Sequence, residues 1–282
     1  VGGGITGVTT ALQLQKAGKK CIIAEASNLG FGTTGGTTAH LNTFFDTPYP
    51  QIESDFGQDG AKLVAEAGQT AIDAIKDFIK AYQIDCDFEQ KDGYLFSQNE
   101  KETKELTEIF ESCQKLGVAV KRVHENGAPI AFEQALCFPN QAQFHPLKYI
   151  LALAEKFKSL GGIIAENTFI AETSFKDETY IATAQNLTIK AKNLVYATHM
   201  APGINLLTFR CAPYRSYVLS VKLSDNDYPN SLIYDMKEPY HYLRTHVIDG
   251  QKYLIVGGED HKTGHDDPTA AFSTLKDFAT TY

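Results

Sequence analysis

The first twenty-five residues, VGGGITGVTTALQLQKAGKKCIIAE, constrain the fold of this chain more than any other stretch. Gly2, Gly4 and Gly7 are spaced G-x-G-x-x-G. Ala11 and Leu14 follow at helical spacing, Gly18 closes the helix, and Cys21 and Ile23 alternate into a strand ending at Glu25. The pattern predicts a strand–turn–helix–strand unit that binds a dinucleotide. Gly2 permits the tight turn, Gly4 lets backbone N–H groups approach a pyrophosphate, and Gly7 lets the helix pack close to the sheet. The helix N-terminus offers open donors and a positive dipole end to the phosphates. Glu25 is placed to accept hydrogen bonds from an adenosine ribose. An ordinary Gly-rich turn would not need the spaced Ala, Leu, Gly and terminal acid. Only Val1 stands where a first strand holds several apolar residues, so the chain is expected to begin inside an element.

The bulk numbers are permissive. A length of 282 residues suits one large or two ordinary domains, and 43% hydrophobic with 21% charged residues is a globular composition. A net charge of −8 argues against nucleic acid and anionic membranes as partners. No apolar run approaches the ~18 residues of a membrane span, and no signal peptide is visible. Cys21, Cys86, Cys113, Cys137 and Cys211 are scattered, with no C-x-x-C and no Cys–His pair at zinc spacing. They read as reduced thiols of a cytoplasmic protein with no metal site.

Apolar periodicity predicts helices over 59–82, 100–116, 146–160 and 269–282. Strands are expected over 93–97, 163–165, 169–175, 180–184, 187–189, 194–197, 218–223, 240–245 and 253–256. The last two are joined by a hairpin at Ile248-Asp249-Gly250. Such a mixture suggests two domains with the chain crossing between them more than once.

After Glu25 the chain does not continue into another βα unit. It runs instead through GFGTTGGTTAHLNT, Gly30 to Thr43, where small side chains let backbone approach a flat ring and Thr hydroxyls can bond phosphate and ribityl oxygens. With QFHPLKYILALAEKFKSLGGIIAENTFI, KNLVYATH and PYRSYVLSV in the same order, the whole chain resembles the FAD-dependent oxidoreductases of the D-amino-acid oxidase (DAO) superfamily. It is most similar to the bacterial members often fused to a C-terminal Rieske [2Fe-2S] domain.

The resemblance implies an α/β fold: a glutathione-reductase-type, Rossmann-like FAD-binding domain (1–84 and 141–204) with an interleaved α+β substrate domain on an antiparallel sheet (85–140 and 205–282). It implies that Gly2, Gly4, Thr6 and Gly7 hold the pyrophosphate and Glu25 the ribose. Thr33, Thr34, Gly35, Thr37, Thr38 and Ala39 would line the pyrophosphate, ribityl chain and flavin edge. Ile170 would meet the adenine through its backbone. Ala197 and Thr198 match an A-T-G turn beside the cofactor, with His199 in place of the last Gly. Some relatives carry a His at the position of Gly36, where flavin can be attached covalently; Gly36 excludes that link, so the FAD is expected to be non-covalent. The Rieske pattern, C-x-H then C-x-x-H, and the family's final segment are absent from these residues.

The chemistry implied is removal of a hydride from a C–H beside an amine, in an amino acid or amine, with oxygen or an iron–sulfur centre outside this chain as electron acceptor. Such a site needs an apolar or aromatic wall and donors for a carboxylate, for which the planar fork of Arg is suited. His40, just past the Gly/Thr loop, is a candidate, with Asn42 on the same segment. Tyr240, Tyr242 and Arg244 share one face of a strand and His241 takes the other. His261 resembles a family position at the substrate pocket, and Arg215 could neutralise an acidic substrate or form a structural ion pair. Two other readings stay open: an NAD(P)-dependent dehydrogenase, and a truncated, non-catalytic flavin-fold module.

Overall fold

The computed structural model describes residues 1–200, 211–264 and 267–281. Its elements begin α1 (Ile5–Lys16), β1 (Ile22–Ala24), α2 (Thr33–Gly36), β2 (His40–Leu41), α3 (Tyr49–Tyr82), β3 (Glu89–Ser97), α4 (Glu100–Leu116), β4 (Lys121–Val123) and β5 (Gln134–Gln143). Next come α5 (Pro146–Ser159), β6 (Ile163–Ala165), β7 (Glu172–Lys176), β8 (Thr179–Thr183) and β9 (Thr188–Ala191). The last are β10 (Tyr214–Val221), β11 (Leu232–Asp235), β12 (His241–Ile248), β13 (Gln251–Lys262) and α6 (Pro268–Thr281).

Two compact units form. The first holds Val1–Ala39, Asp77–Asp87 and the described part of Phe144–Cys211; the second holds His40–Lys76, Phe88–Gln143 and the described part of Ala212–Tyr282. Residues 40–76, expected with the cofactor domain, group with the second unit. His40 and Leu41 pair with Gln143 and Ala142, and Tyr49, Ile52, Ala61 and Ala65 bury against Leu106, Ile109 and Phe138. The expected boundary at 204–205 and Tyr282 lie outside the described residues.

In the first unit β1 and β6 pair in parallel, Ile23 opposite Ile164. The Gly2 N–H donates to the Ala24 carbonyl at 2.9 Å, and the Ala197 N–H to the Val1 carbonyl at 2.8 Å. The Val1 nitrogen donates to the Val195 carbonyl at 2.7 Å. Val1 and Gly2 thus bridge β1 to residues 195–197, which are hydrogen-bonded here without forming the regular strand expected over 194–197. Val8, Ala11 and Leu12 of α1 and Ile150, Leu153 and Phe157 of α5 are buried, which gives both helices their apolar stripe. Pro146 opens α5 at its first turn, where a missing N–H costs nothing. The strands β7, β8 and β9 form an antiparallel meander. The first of them starts at Glu172, not Phe169.

The second unit is built on an eight-stranded sheet in the order β10-β13-β12-β11-β3-β5-β2, with β4 also on β5. It departs from the expected antiparallel sheet in one pairing: β11 runs parallel to β3. The hairpin at Asp249-Gly250 forms as expected. Both residues have positive φ, 49° and 77°, the two-residue turn whose twist matches its strands. The sequence did not reveal β5, QALCFPNQAQ, because Pro139 reads as a strand breaker. In the sheet Pro139 and Asn140 lie opposite Asp92 alone, between the pairs Lys91–Gln141 and Gly93–Phe138, so the proline sits in a bulge. The helix α4 forms where its periodicity put it, with Asn99 accepting from Glu102 N–H and Glu102 accepting from Gln98 N–H.

One face of the sheet carries α6. Ala271, Leu275 and Phe278 pack on Tyr217, Leu243 and Val256, and the Phe278 ring lies parallel to His241 at 3.9 Å. His241 bonds Asp235 through Nδ1 at 2.8 Å and Glu259 through Nε2 at 3.0 Å. Burial alone would push its pKa down, but the hydrogen bonds and charges of Asp235 and Glu259 together outweigh this and hold it above the ordinary value. The native state therefore keeps this proton longer than the unfolded chain does. The resulting stabilisation is complete below the unfolded pKa of about 6.5 and is lost as pH rises through the higher folded value. Denaturant unfolding should show stability falling over that alkaline window. The variant Asp235→Asn should flatten the fall, and an unchanged slope in that variant would refute this account of α6 docking.

Candidate functional site

In the first unit the glycines build a cradle at the start of α1. A Cβ on Gly7 would lie 1.9 Å from the Gly2 carbonyl oxygen, and one on Gly2 would lie 2.4 Å from the Ala197 oxygen. Turn and helix therefore approach at a distance that only glycine allows. Helix α1 starts at Gly4 with no side-chain cap and no acidic residue in its first turn, so its dipole end is open to an anion. The Thr34 hydroxyl, on the one-turn α2, accepts from Ile5 N–H at 3.0 Å and ties the Gly/Thr loop to α1. Glu25 accepts from Gly3 N–H at 2.6 Å and Ser27 N–H at 2.8 Å, and a carboxylate retains lone pairs for a further donor.

The cradle thus gathers Gly2, Gly4, Gly7, Glu25, Thr34 and Ala197. The Thr37 hydroxyl accepts from Ala39 N–H at 3.0 Å, and Ala39 is buried with φ 54°. Thr6, Thr33, Gly35 and Thr38 lie on the same segments, with Thr33 and Gly35 exposed. Ile170 is half-buried in irregular backbone just before β7. Thr198 precedes His199, which adopts φ 64°, so the turn keeps a glycine-like backbone without the glycine. These residues fit the pyrophosphate arm of an FAD.

In the second unit a polar and aromatic cluster occupies the sheet face opposite α6. In a flat sheet β5 and β12 would be three strand spacings, about 14 Å, apart. Yet the Gln143 side chain donates to the Thr245 carbonyl at 2.8 Å, so the sheet curls and brings β2 and β5 over β12. His40 meets Tyr234 and Tyr242 edge-on, with ring centroids 5.2 and 5.3 Å away. His40 Nδ1 is hydrogen-bonded to the Tyr234 hydroxyl, which also accepts from Asn42 Nδ2 at 2.6 Å. Tyr242 lies across Gly257, where a Cβ would fall 2.1 Å from the ring. Arg244, on the Tyr242 side of β12, is 5% exposed. Burial, with the nearby Arg244 charge, drives the His40 pKa down to about 3, and burial pushes Tyr234 well above its usual value.

The structure thus joins His40, Asn42, Tyr242 and Arg244. It does not bring His261 to them: His261 stands on the α6 side, stacked on Tyr217 and bonded to its hydroxyl at 3.1 Å. His241 is likewise on the α6 side, as the alternation of β12 predicts. Arg215 is exposed on β10 opposite His261. Tyr234 and Gln143 belong to the cluster but were missed by the sequence reading. Gly257-Gly258 was the available signal, since glycine inside a strand marks a close approach. Among the described residues no helix is long and apolar enough to cross a membrane.

The family model for FAD-dependent oxidoreductases (DAO) matches residues 1–282. The chain is 34% identical, over 99% of its length and 55% of the relative's, to a protein of Bacillus subtilis named putative Rieske 2Fe-2S iron-sulfur protein YhfW. It is 26% identical to the gamma-glutamylputrescine oxidoreductase of Escherichia coli, over 92% of this chain and 63% of that protein. The chain therefore spans only about half to three-fifths of these relatives. Among solved structures, L-proline dehydrogenase from P. horikoshii superposes with a TM-score of 0.75 at 20% identity, covering 99% of this chain and 74% of that one. Glycine oxidase from Bacillus cereus gives 0.71 at 16%, covering 99% and 76%. At these identities the structural likeness is one of fold. The family match decides between the cofactors that the glycine spacing left open, in favour of FAD.

The cradle makes a sharp contrast testable. Gly7→Ala should lower FAD retention after desalting at least about tenfold, because its methyl must displace the Gly2 carbonyl. Gly36→Ala should retain FAD, since nothing lies within 4 Å of its Cβ position. Equal retention by the two variants would show that the close approach is not what holds the cofactor.

Proposed function

The chain belongs to the DAO family of FAD-dependent oxidoreductases, and from that premise we propose that the protein oxidises a C–H bond next to an amine nitrogen in an amino acid or amine, with its FAD held non-covalently. The observation that carries this reading is the cluster of buried Arg244, Tyr234 and Tyr242 with half-buried His40 on one face of the curled sheet. Bound FAD supplies the two-electron sink for the hydrogen leaving that carbon. Everything else falls to the protein's own residues.

Gly2, Gly4, Thr6 and Gly7 would hold the pyrophosphate, Glu25 the ribose, and Thr33, Thr34, Gly35, Thr37, Thr38 and Ala39 the ribityl chain and ring edge. Ile170, Ala197 and Thr198 would complete the adenine and pyrophosphate contacts. Arg244 would pair with a substrate carboxylate, worth more in a buried site than in water. Tyr242 would wall the reacting carbon from solvent. His40, held neutral, cannot compete with the substrate nitrogen as a cation. It leaves that nitrogen free to become the iminium when the C–H bond is broken. His261, stacked on Tyr217 on the α6 side, stands outside this cluster. The two electrons would then pass to oxygen, which takes up two protons to give hydrogen peroxide, or one at a time to an iron–sulfur centre outside these residues, with the protons released to solvent; the name of the Bacillus subtilis relative supports the second.

The full-length protein loaded with FAD should be yellow and should bleach anaerobically with its amine substrate. A protein that stays colourless and refuses added FAD would overturn the proposal and leave the non-catalytic module. With an amino-acid substrate, Arg244→Lys should raise KM about tenfold by losing the planar fork, while an amine lacking a carboxylate should be spared. Equal losses on both substrates would remove Arg244 from carboxylate binding.

A further inference from the structure

The polar cluster in the second unit has its hydrogens assigned by its own bonds. Asn42 meets the Tyr234 hydroxyl through Nδ2, which can only donate. That hydroxyl carries one hydrogen, and its other bonded partner is His40 Nδ1. Were the ring nitrogen a second donor, the buried hydroxyl's own hydrogen would have no partner, a costly arrangement; we therefore read Nδ1 as the acceptor, and in a neutral imidazole the remaining hydrogen sits on Nε2. Among the described residues, His40 Nε2 is buried without a hydrogen-bond partner. The same holds for two amide oxygens close by in the fold, Asn42 Oδ1 and Gln143 Oε1. His40 and Gln143 are directly paired on β2 and β5, and Gln143 is 1% exposed. Buried polar groups are almost always satisfied, so one donor and two acceptors left open on neighbouring residues of β2 and β5 point to a ligand that completes the set.

We infer that Tyr234 is a positioning residue: bonded by Asn42, its hydroxyl fixes His40 as a neutral Nε2–H donor for a carboxylate oxygen of the substrate. This deepens the amino-acid reading above and rests on it. The nearby Arg244 guanidinium favours an anion at the same place, and the Asn42 and Gln143 oxygens can accept from the amine of the same molecule. A ligand with a carboxylate and an amine nitrogen satisfies all of them. The His40 pKa of about 3 and the raised Tyr234 pKa mean that neither group changes protonation over the working range. The charged and titratable groups facing the pair are Arg244, Tyr240, Tyr242 and Asp46. The donor is thus available across the neutral range.

Long-range 1H–15N NMR of the FAD-loaded protein labelled with 15N-histidine reads this directly. His40→Gln identifies the resonance among the eight histidines. His40 should be the Nε2–H tautomer, with shifts constant from about pH 5 to 9. Acetate should move the Nε2–H signal, and ethylammonium chloride should not. In Tyr234→Phe the ring should become a mixture of tautomers and acetate should bind about tenfold more weakly. An Nδ1–H tautomer in the wild type overturns the inference. So does an unchanged tautomer in Tyr234→Phe, or an Nε2–H signal that moves on adding FAD to the flavin-free chain but not on adding acetate. If Tyr234→Phe does not fold, the wild-type tautomer and the acetate titration still decide. Loss of FAD binding would overturn the proposed function, while the flavin-free spectrum still reports the tautomer. Amine bleaching with an Nδ1–H His40 would sink this inference alone.

Discussion

Nothing larger than a hydrogen fits between Gly7 and the carbonyl of Gly2, and the first unit is organised around that contact. It draws the start of α1 against the turn, so the helix presents backbone N–H groups where a side chain would otherwise stand. The same two residues tie the turn into the sheet: Gly2 donates to Ala24, and Val1 accepts from Ala197. One close approach thus sets the position of a helix, two strand-like segments and the residues proposed to ring a cofactor diphosphate. The second unit repeats the device at Gly257, whose missing Cβ is the space taken by the Tyr242 ring.

Curling gives the second unit its site. The face that bears α6 is filled by apolar residues and the His241 ion triad, and it closes on itself. The opposite face is bent until Gln143 reaches the Thr245 carbonyl, and the resulting concavity is lined by groups that are buried yet incompletely bonded. That combination costs stability in the free protein and is retained where a ligand supplies the missing partners. The stacked His241–Phe278 pair and the open His40–Tyr234 pair show the contrast. Both are histidine against aromatic on one sheet. In the first, both ring nitrogens are satisfied by carboxylates, whose bonds and charges raise the imidazole's pKa. In the second, the imidazole is held neutral with one nitrogen unspent.

What could be read from the sequence was local. The cradle glycines, the helix starts at Glu100 and Pro146 and the Asp249-Gly250 turn each depend on neighbours a few residues away, and each forms where its spacing puts it. Four of the six residues of the polar cluster were legible for the same reason: Tyr242 and Arg244 alternate on one strand, and His40 and Asn42 lie two apart on one segment. Tyr234 and Gln143 were not legible, because their roles arise from curvature. Leu232 to Asp235 are buried on both faces and show no alternation, so a strand read in isolation gives no reason to single out Tyr234. Gln143 closes a strand interrupted by Pro139, and only the bulge against Asp92 shows that the proline belongs there. His261 failed to join the cluster because a further irregularity, Glu259 at φ 56°, resets the alternation of β13 after Gly258.

Two departures from glycine show how firmly the loop geometry is imposed. Ala39 and His199 both hold positive φ, 54° and 64°, which costs a side-chain-bearing residue about 1 kcal/mol. Neither position relaxes. Ala39 is buried and its N–H is taken by the Thr37 hydroxyl, while Thr198 and Met200 close the His199 turn with two bonds, at 2.6 and 2.7 Å. Hydrogen bonds on either side over-determine the backbone, so replacing the family's glycine with His199 changes the energy of the turn and not its shape. The strain lies on the two segments that the resemblance places beside the flavin, the Gly/Thr loop and the A-T turn. Strain kept at such positions is retained because the chain there must deliver particular atoms to particular places. For Ala39 the atoms delivered are those of the very next residue, His40, whose ring enters the polar cluster on the strength of that turn.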